Sequence, residues 1–312
     1  MNVTFLGTAA AEGVPQLWCR CEYCQIVRQR GGKSIRFRTA TLINDDLLID
    51  AGPDLSPAAA RLGVDLAAVR ALLITHPHYD HLEPDSLRAR GRYWDGTALP
   101  PLTVYASRAS LDLLGHGADL GALQMEPRPI APFQRFEIST GGAAVVDPRV
   151  PRAADFPATP VRWYEVWTLA AEHSLPEDEA MLFVIRQTAG PEAREGATGA
   201  TLFYGTDTGP FPEATWAALD RLAVQGVRCG AVVIDATFGT GKNLKQPGAH
   251  LTIRQMVQHQ QSLARRGLLT DNAQRLAIHF SHYFTPPHDE LLALLAPDEI
   301  TPAYDGLTIT VS

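Results

Sequence analysis

The feature that most constrains this chain is Thr75-His76-Pro77-His78-Tyr79-Asp80-His81, which gathers three imidazoles and a carboxylate immediately after the apolar run Ala71-Leu72-Leu73-Ile74. A short run without a polar residue suits a strand buried on both faces, so the histidines are delivered from the end of a central strand. Histidines at i and i+2 of an extended turn can aim their nitrogens at one ion. Asp80 and His81, next along, can address a second ion about 3.5 to 4 Å away, the usual separation in two-metal hydrolases. The loop carrying them is expected to face solvent.

Around this segment the chain alternates strands and helices without a long linker or an internal repeat. Strands are expected over 2–6, 71–75, 102–105, 161–171, 180–187, 200–204, 231–234 and 274–279. A hairpin is expected from 39–43 and 47–50 about Asn44-Asp45-Asp46. Helical spacing marks 84–92, 109–114, 213–224, 253–266 (stopped by Gly267) and 287–295. The Pro- and Gly-rich stretch 121–160 predicts loops and short strands, and 93–170 as a whole is long enough to shape substrate access. Strands recurring at both ends with helices between suit one α/β domain over 1–312, a two-layered sheet sandwich flanked by helices.

Composition narrows the function classes. A hydrophobic share of 46% over 312 residues supports a sizeable core, and a formal charge of −7 offers no footprint for unspecific nucleic-acid binding. No apolar stretch approaches the roughly 20 residues that span a bilayer, and the start lacks a basic n-region with an apolar h-region. The cytoplasm is the expected location. Three of the four cysteines crowd into Cys19-Arg20-Cys21-Glu22-Tyr23-Cys24, which argues for a metal knuckle rather than disulfides. Cys229 stands alone as one candidate for a fourth ligand.

His76-Pro77-His78-Tyr79-Asp80-His81 resembles the signature of the metallo-β-lactamase fold superfamily, whose fold is an αββα sandwich of two mixed sheets with a two-metal site on one edge. The resemblance extends in order through Leu48-Ile49-Asp50-Ala51-Gly52, Ala171-Glu172-His173-Ser174, Tyr204-Gly205-Thr206-Asp207-Thr208-Gly209 and Ala277-Ile278-His279-Phe280-Ser281-His282. It implies His76, His78 and His173 on one metal, Asp80, His81 and His279 on the other, and Asp207 bridging them. Asp50 is implied as an acceptor that orients the histidine loop. Neutral imidazoles leave the ions electrophilic, and the pair would bring the pKa of a bridging water toward neutrality. Zinc, manganese or iron would suit such ligands. His116, at an expected helix end, competes poorly with His173, and His259 and His288 are expected to be exposed helix residues.

The stretch from Leu6-Gly7-Thr8 through Cys24 is similar to two related groups, the cyclic phosphodiesterases of phosphonate degradation and pyrroloquinoline quinone biosynthesis protein B. The first implies a structural zinc on Cys19, Cys21, Cys24 and a histidine three residues after the last active-site ligand, here His282. Cys229 then becomes a core residue. The second group typically lacks the full histidine set present here, which favours hydrolysis. Asp235-Ala236-Thr237-Phe238 followed by Ala249-His250-Leu251-Thr252 resembles the pattern in which a non-ligand histidine assists leaving-group departure, and His250 also precedes a helix N-terminus.

The resulting expectation is a phosphodiesterase acting on a small cyclic or nucleotide-like substrate, with Asp80 and His250 as catalytic residues, two divalent ions and one structural zinc. A lactone or thioester hydrolase and a non-hydrolytic cofactor-biosynthesis protein are the alternatives. A phosphate-containing small molecule is the expected partner, with no membrane or nucleic acid, and a homodimer is left open. Arg28, Arg30, Lys33, Arg36 and Arg38, a run without an acid, are expected to form a solvated face, with binding of a substrate phosphate or ribose phosphate as the alternative.

Overall fold

The computed structural model describes residues 1–91, 99–141, 160–173, 175–190, 199–241 and 248–312. The N-terminal half supplies β1 (Asn2–Gly7), β2 (Ala40–Ile43), β3 (Leu47–Ile49), β4 (Ala71–Leu73), β5 (Leu102–Ala106) and β6 (Met125–Pro129). The second half supplies β7 (Arg135–Ser139), β8 (Trp163–Ala170), β9 (Met181–Thr188), β10 (Thr201–Gly205), β11 (Cys229–Asp235), β12 (Leu269–Ile278), β13 (Ile300–Pro302) and β14 (Thr308–Thr310). Two seven-stranded mixed sheets result, ordered β14-β1-β2-β3-β4-β5-β6 and β13-β12-β11-β10-β9-β8-β7. The helices are α1 (Glu22–Arg30), α2 (Leu55–Leu62), α3 (Pro84–Arg88), α4 (Arg108–Gly115), α5 (Glu213–Val224), α6 (Ile253–Arg265) and α7 (His288–Leu295).

Strand alternation builds the layers. In β9, Met181, Phe183 and Ile185 point between the sheets to meet Phe5, Ile49 and Leu73, while Leu182 and Val184 point outward to Leu219, Met256 and Leu263 of α5 and α6. On the other side Leu48, Leu72 and Val104 pack with Leu55, Leu87 and Leu111 of α2, α3 and α4. The layers run helix, sheet, sheet, helix, the expected sandwich. Because both faces of each central strand are covered, those strands are continuous apolar runs.

Several expectations change. α1, read from sequence only as a knuckle, is a helix whose N-cap is Cys21, its sulfur accepting from the Cys24 amide. α2 was hidden in a stretch of small residues, and α3 ends at Arg88 in a 3-10 turn through Gly91. The Pro-rich expectation falls partly on 142–159, outside the described residues, while β6 and β7 occupy its earlier part. Arg36 is no member of a solvated face: it is buried, donating to the Thr8 hydroxyl and the Ala303 carbonyl and meeting His288 Nδ1 at 3.1 Å. His288 is therefore buried too, and burial with Arg36 alongside lowers its pKa to about 4. His259 is half-buried against Phe211 and Trp216, with Nε2 accepting from the Phe211 amide. His116 is exposed at the end of α4, and Cys229 lies in the core. Among the described residues no helix is long and apolar enough to cross a membrane.

Candidate metal centre

The side chains of the paired site come from the carboxyl ends of strands. β3 pairs parallel with β4, β10 with β11, and β11 with β12, and β8 reaches β10 through two antiparallel pairings. Asp50, the His76–His81 loop, His173, Asp207, Asp235 and His279 thus leave six strands on one edge of the sandwich. Asp50, Asp207 and His279 each take a positive φ, of 63°, 47° and 63°, to turn out of their strands. Such backbone costs about 1–3 kcal/mol per residue and collects at functional sites.

The side chains converge in two groups sharing one carboxylate. His76, His78, His173 and Asp207 present ligand atoms within 4.8 Å of one another, and so do Asp80, His81, Asp207 and His279. Asp207 Oδ2 lies 3.3 Å from His76 Nε2, 3.5 Å from His173 Nε2 and 3.1 Å from His81 Nε2, and its Oδ1 lies 2.6 Å from His279 Nε2. His78 Nδ1 is 3.3 Å from His173 Nε2. The solvent-facing loop expected from sequence is mostly interior: His76, Asp80 and His81 are buried, and Tyr79 is the exposed member.

Hydrogen bonds outside the cluster set the ring orientations. His81 Nδ1 donates to Asp50 Oδ2 at 2.7 Å, and His173 Nδ1 donates to the Ala249 carbonyl at 3.0 Å. The Thr75 hydroxyl donates to Asp50 and accepts from His76 Nδ1 at 2.9 Å. The Thr237 hydroxyl repeats this between Asp235 and His279 Nδ1, at 2.8 and 2.7 Å. With the four Nδ1 protons directed outward, the Nε2 lone pairs of His76, His81, His173 and His279 all face the cluster, the arrangement that metal-binding histidines use. Thr75 and Thr237 were missed by sequence reasoning, and only their positions beside the two histidine segments hint at them.

Three observations bear on whether cations fit here. His76 Nε2, Asp80 Oδ2 and Asp207 Oδ1 are buried without a hydrogen-bond partner, an expensive arrangement unless a shared ion satisfies them. Burial works against a proton on His81, but the carboxylates of Asp80, Asp207 and Asp50 override it and hold its pKa well above the ordinary value. His279 is raised to about 10 against burial by Asp207, whereas burial and His81 push His76 down to about 3. Burial opposes charge on Asp80 and Asp207 as well, yet the imidazoles hold both well below the carboxylate range. Positive charge is stabilised at this point, and divalent cations meet that demand.

His250 stands beside the cluster. Its ring lies 4.9 Å from His173 and stacks on His279 at 5.6 Å, centroid to centroid, while Nδ1 meets buried Asp235 Oδ2 at 3.1 Å. Burial disfavours its proton, and the neighbouring Asp235 carboxylate reverses the balance, raising its pKa. The approach depends on Gly209, where a Cβ would sit 1.6 Å from the Gly248 carbonyl oxygen.

Cys19, Cys21, Cys24 and His282 form a separate group, also within 4.8 Å of one another. His282 Nδ1 is held by Glu12 at 3.1 Å, and its Nε2 is buried without a partner. The amide of Cys21 donates to Cys19 Sγ and lowers that thiol to about 7, whereas burial raises Cys24 to about 12. Three thiols and an imidazole are thus brought together, a donor set that could hold one metal ion.

The family described as Beta-lactamase superfamily domain matches residues 46–280. Coenzyme PQQ synthesis protein B of Methylobacterium radiotolerans is 29% identical over 164 residues, covering 47% of this chain and 52% of that protein. The chain spans about half the length, or less, of the curated relatives it matches. Among solved structures, Zn(2+)-bound PqqB from Methylobacterium extorquens superimposes with a TM-score of 0.66 at 18% identity, covering 100% of both chains. A diphosphatase from the PhnP family gives 0.64 at 21% identity, covering 99% of this chain and 96% of that one. At those identities the likeness is one of fold.

Proposed function

This chain belongs to the beta-lactamase superfamily, and on that footing we propose that it is a hydrolase using two divalent cations to cleave a small phosphodiester, cyclic or nucleotide-like, with His250 protonating the leaving alkoxide. His76, His78 and His173 would hold one cation, Asp80, His81 and His279 the other, with Asp207 shared. The cations would supply Lewis acidity and bring the pKa of a water toward neutrality. Zinc, manganese or iron suits these ligands, and Cys19, Cys21, Cys24 and His282 would hold a structural zinc. Asp50 orients His81 and, through Thr75, His76.

The observation that carries the phosphodiester reading is the His250–Asp235 pair. Asp235, His250, His279 and Asp207 also lie close enough to be considered as a metal group. Both Asp235 oxygens, however, are already engaged: Oδ1 accepts from the Thr237 and Leu251 amides, and Oδ2 from the Thr237 hydroxyl and His250 Nδ1. A carboxylate so saturated supports a role as partner of a protonated imidazole, an acid beside the cations rather than a ligand to them. General acid catalysis matters most when the leaving group is a poor one such as an alkoxide, and a lactone or thioester hydrolase has less use for it. Likeness to a PQQ synthesis protein supports a second reading, a cofactor-biosynthesis protein that does no hydrolysis.

Metal-loaded protein assayed on bis-p-nitrophenyl phosphate, on a lactone panel and, after anaerobic iron loading, for oxidative turnover once dioxygen is admitted separates these readings. Diester hydrolysis is expected. Lactone turnover without diester turnover would overturn it, as would oxidative turnover alone.

A further inference from the structure

Outward from His250 a row of aromatic rings continues that neither the cores nor the cation cluster uses. Phe238 lies edge-to-face on His250 with centroids 5.2 Å apart, Phe284 edge-to-face on Phe238 at 5.5 Å, and Tyr283 lies 6.0 Å from Phe284. Phe238 and Phe284 are half-buried, and Tyr283 is 66% exposed. Contiguous open rings rimmed by polar groups mark a binding surface, as singly exposed ones do not, and these rings touch one another in succession.

The row is held in place. The Thr240 amide donates to the Phe284 carbonyl at 3.1 Å, and the Gly241 amide donates to the Phe238 carbonyl at 2.7 Å. Gly239 has φ +42°, and a Cβ there would sit 2.0 Å from the Phe284 oxygen, so this approach of the two segments needs glycine. At the outer end Tyr283 packs on His282, with centroids 3.7 Å apart, which ties the row to the cysteine knuckle.

We propose that Phe238, Phe284 and Tyr283 form the leaving-group subsite and select diesters whose leaving alcohol carries a planar ring, as a nucleoside does. The proposal rests on His250 as the acid. An acid must touch the leaving oxygen, so whatever that oxygen carries extends away from His250, and these rings are the protein surface that begins there. A sugar alone would leave them wet, whereas a base can stack on them. Stacking of a base on an aromatic side chain changes binding by about tenfold or more.

The test compares adenosine 2′,3′-cyclic phosphate with the 2′,3′-cyclic phosphate of methyl riboside, two substrates that differ in the base. In the metal-loaded protein kcat/KM is expected to favour the adenine compound by about tenfold or more, and Tyr283→Ala and Phe284→Ala should move that ratio toward one. A ratio near one in the unmodified protein, or variants that depress both substrates equally, overturns the subsite. Titration with AMP and with ribose 5-phosphate, followed by calorimetry, reads the wall without turnover. If no diester is hydrolysed, the hydrolase reading fails. The wall then stands on tighter AMP binding that Phe284→Ala weakens, and it falls if the two ligands bind alike.

Discussion

Replacing Asp235 with Asn changes one atom of a buried carboxylate and tests the acid directly. In the native protein the carboxylate is fully buried and meets His250 Nδ1 at 3.1 Å. At that distance and an effective dielectric constant near 20, a charge pair is worth on the order of 5 kcal/mol before other charges are counted. That exceeds what the partial burial of His250 takes away, and its pKa is accordingly raised. Without the Asp235 charge, burial is opposed mainly by Asp207, and the pKa of the ring falls. The expected defect is the loss of a general acid, roughly 10²- to 10⁴-fold in rate on substrates with alkoxide leaving groups. It should shrink on p-nitrophenyl esters, whose leaving group needs little protonation. The sign in pH follows: the acid must be protonated, so the alkaline limb of kcat against pH should move to lower pH in Asp235→Asn. The variant keeps the acceptor oxygen facing the Thr237 and Leu251 amides but loses the oxygen that accepts from the Thr237 hydroxyl, which itself holds His279 Nδ1, so metal content is measured by elemental analysis and rates are compared at equal occupancy. Equal defects on both substrate classes with an unmoved alkaline limb would refute the reasoning.

Elemental analysis after reconstitution should give three metals per chain, and Cys21→Ser should lower Tm more than kcat, because a closed site contributes to folding rather than to chemistry. His81→Ala should remove the second cation and abolish turnover. It also strips buried Asp50 of its 2.7 Å partner, costing about 1–3 kcal/mol in chemical denaturation while leaving a folded protein by circular dichroism. Asp305, raised by burial from 3.8 to about 6, keeps its proton longer folded than unfolded. Its contribution to stability therefore falls as pH rises from 4 through 6 and is level above that. Relative to Asp305→Asn, wild-type unfolding free energy should decline by about 3 kcal/mol over that interval, and a constant difference between the two would show that burial does not act on this group.

What could be read from sequence followed chemical type. Imidazoles and carboxylates bunched at 76–81 are conspicuous, and uninterrupted apolar runs such as 231–234 mark strands that helices or a second sheet must cover. Elements whose signal is weak in apolar spacing were missed, as with α1, which is held by a cysteine cap and has only Cys24 and Val27 buried. Arg36 was misread for a different reason. Nothing within the run 28–38 pairs with it, because its partners at Ala303 and His288 are more than 250 residues away in the chain. A basic run without local acids therefore says little about exposure when the chain's two ends pack together, as β1 and β14 do here.

The threonines show the same limit at the site itself. Thr75 and Thr237 have side chains that could sit on any strand or turn, yet each relays a buried carboxylate to a ring nitrogen, Asp50 to His76 and Asp235 to His279. Asp50 and Asp235 each also hold a second histidine directly, His81 and His250. Two carboxylates, one per sheet, thus fix four imidazoles. The common geometry explains why the four Nδ1 atoms that face outward are all committed before any ligand arrives: orientation is supplied by the carboxylates and threonines, so the cluster's own atoms are left to meet cations. It also places His250 in the same frame as His279, on one carboxylate, so the acid and the cation site cannot drift apart without breaking the Asp235 hydrogen bonds that hold both.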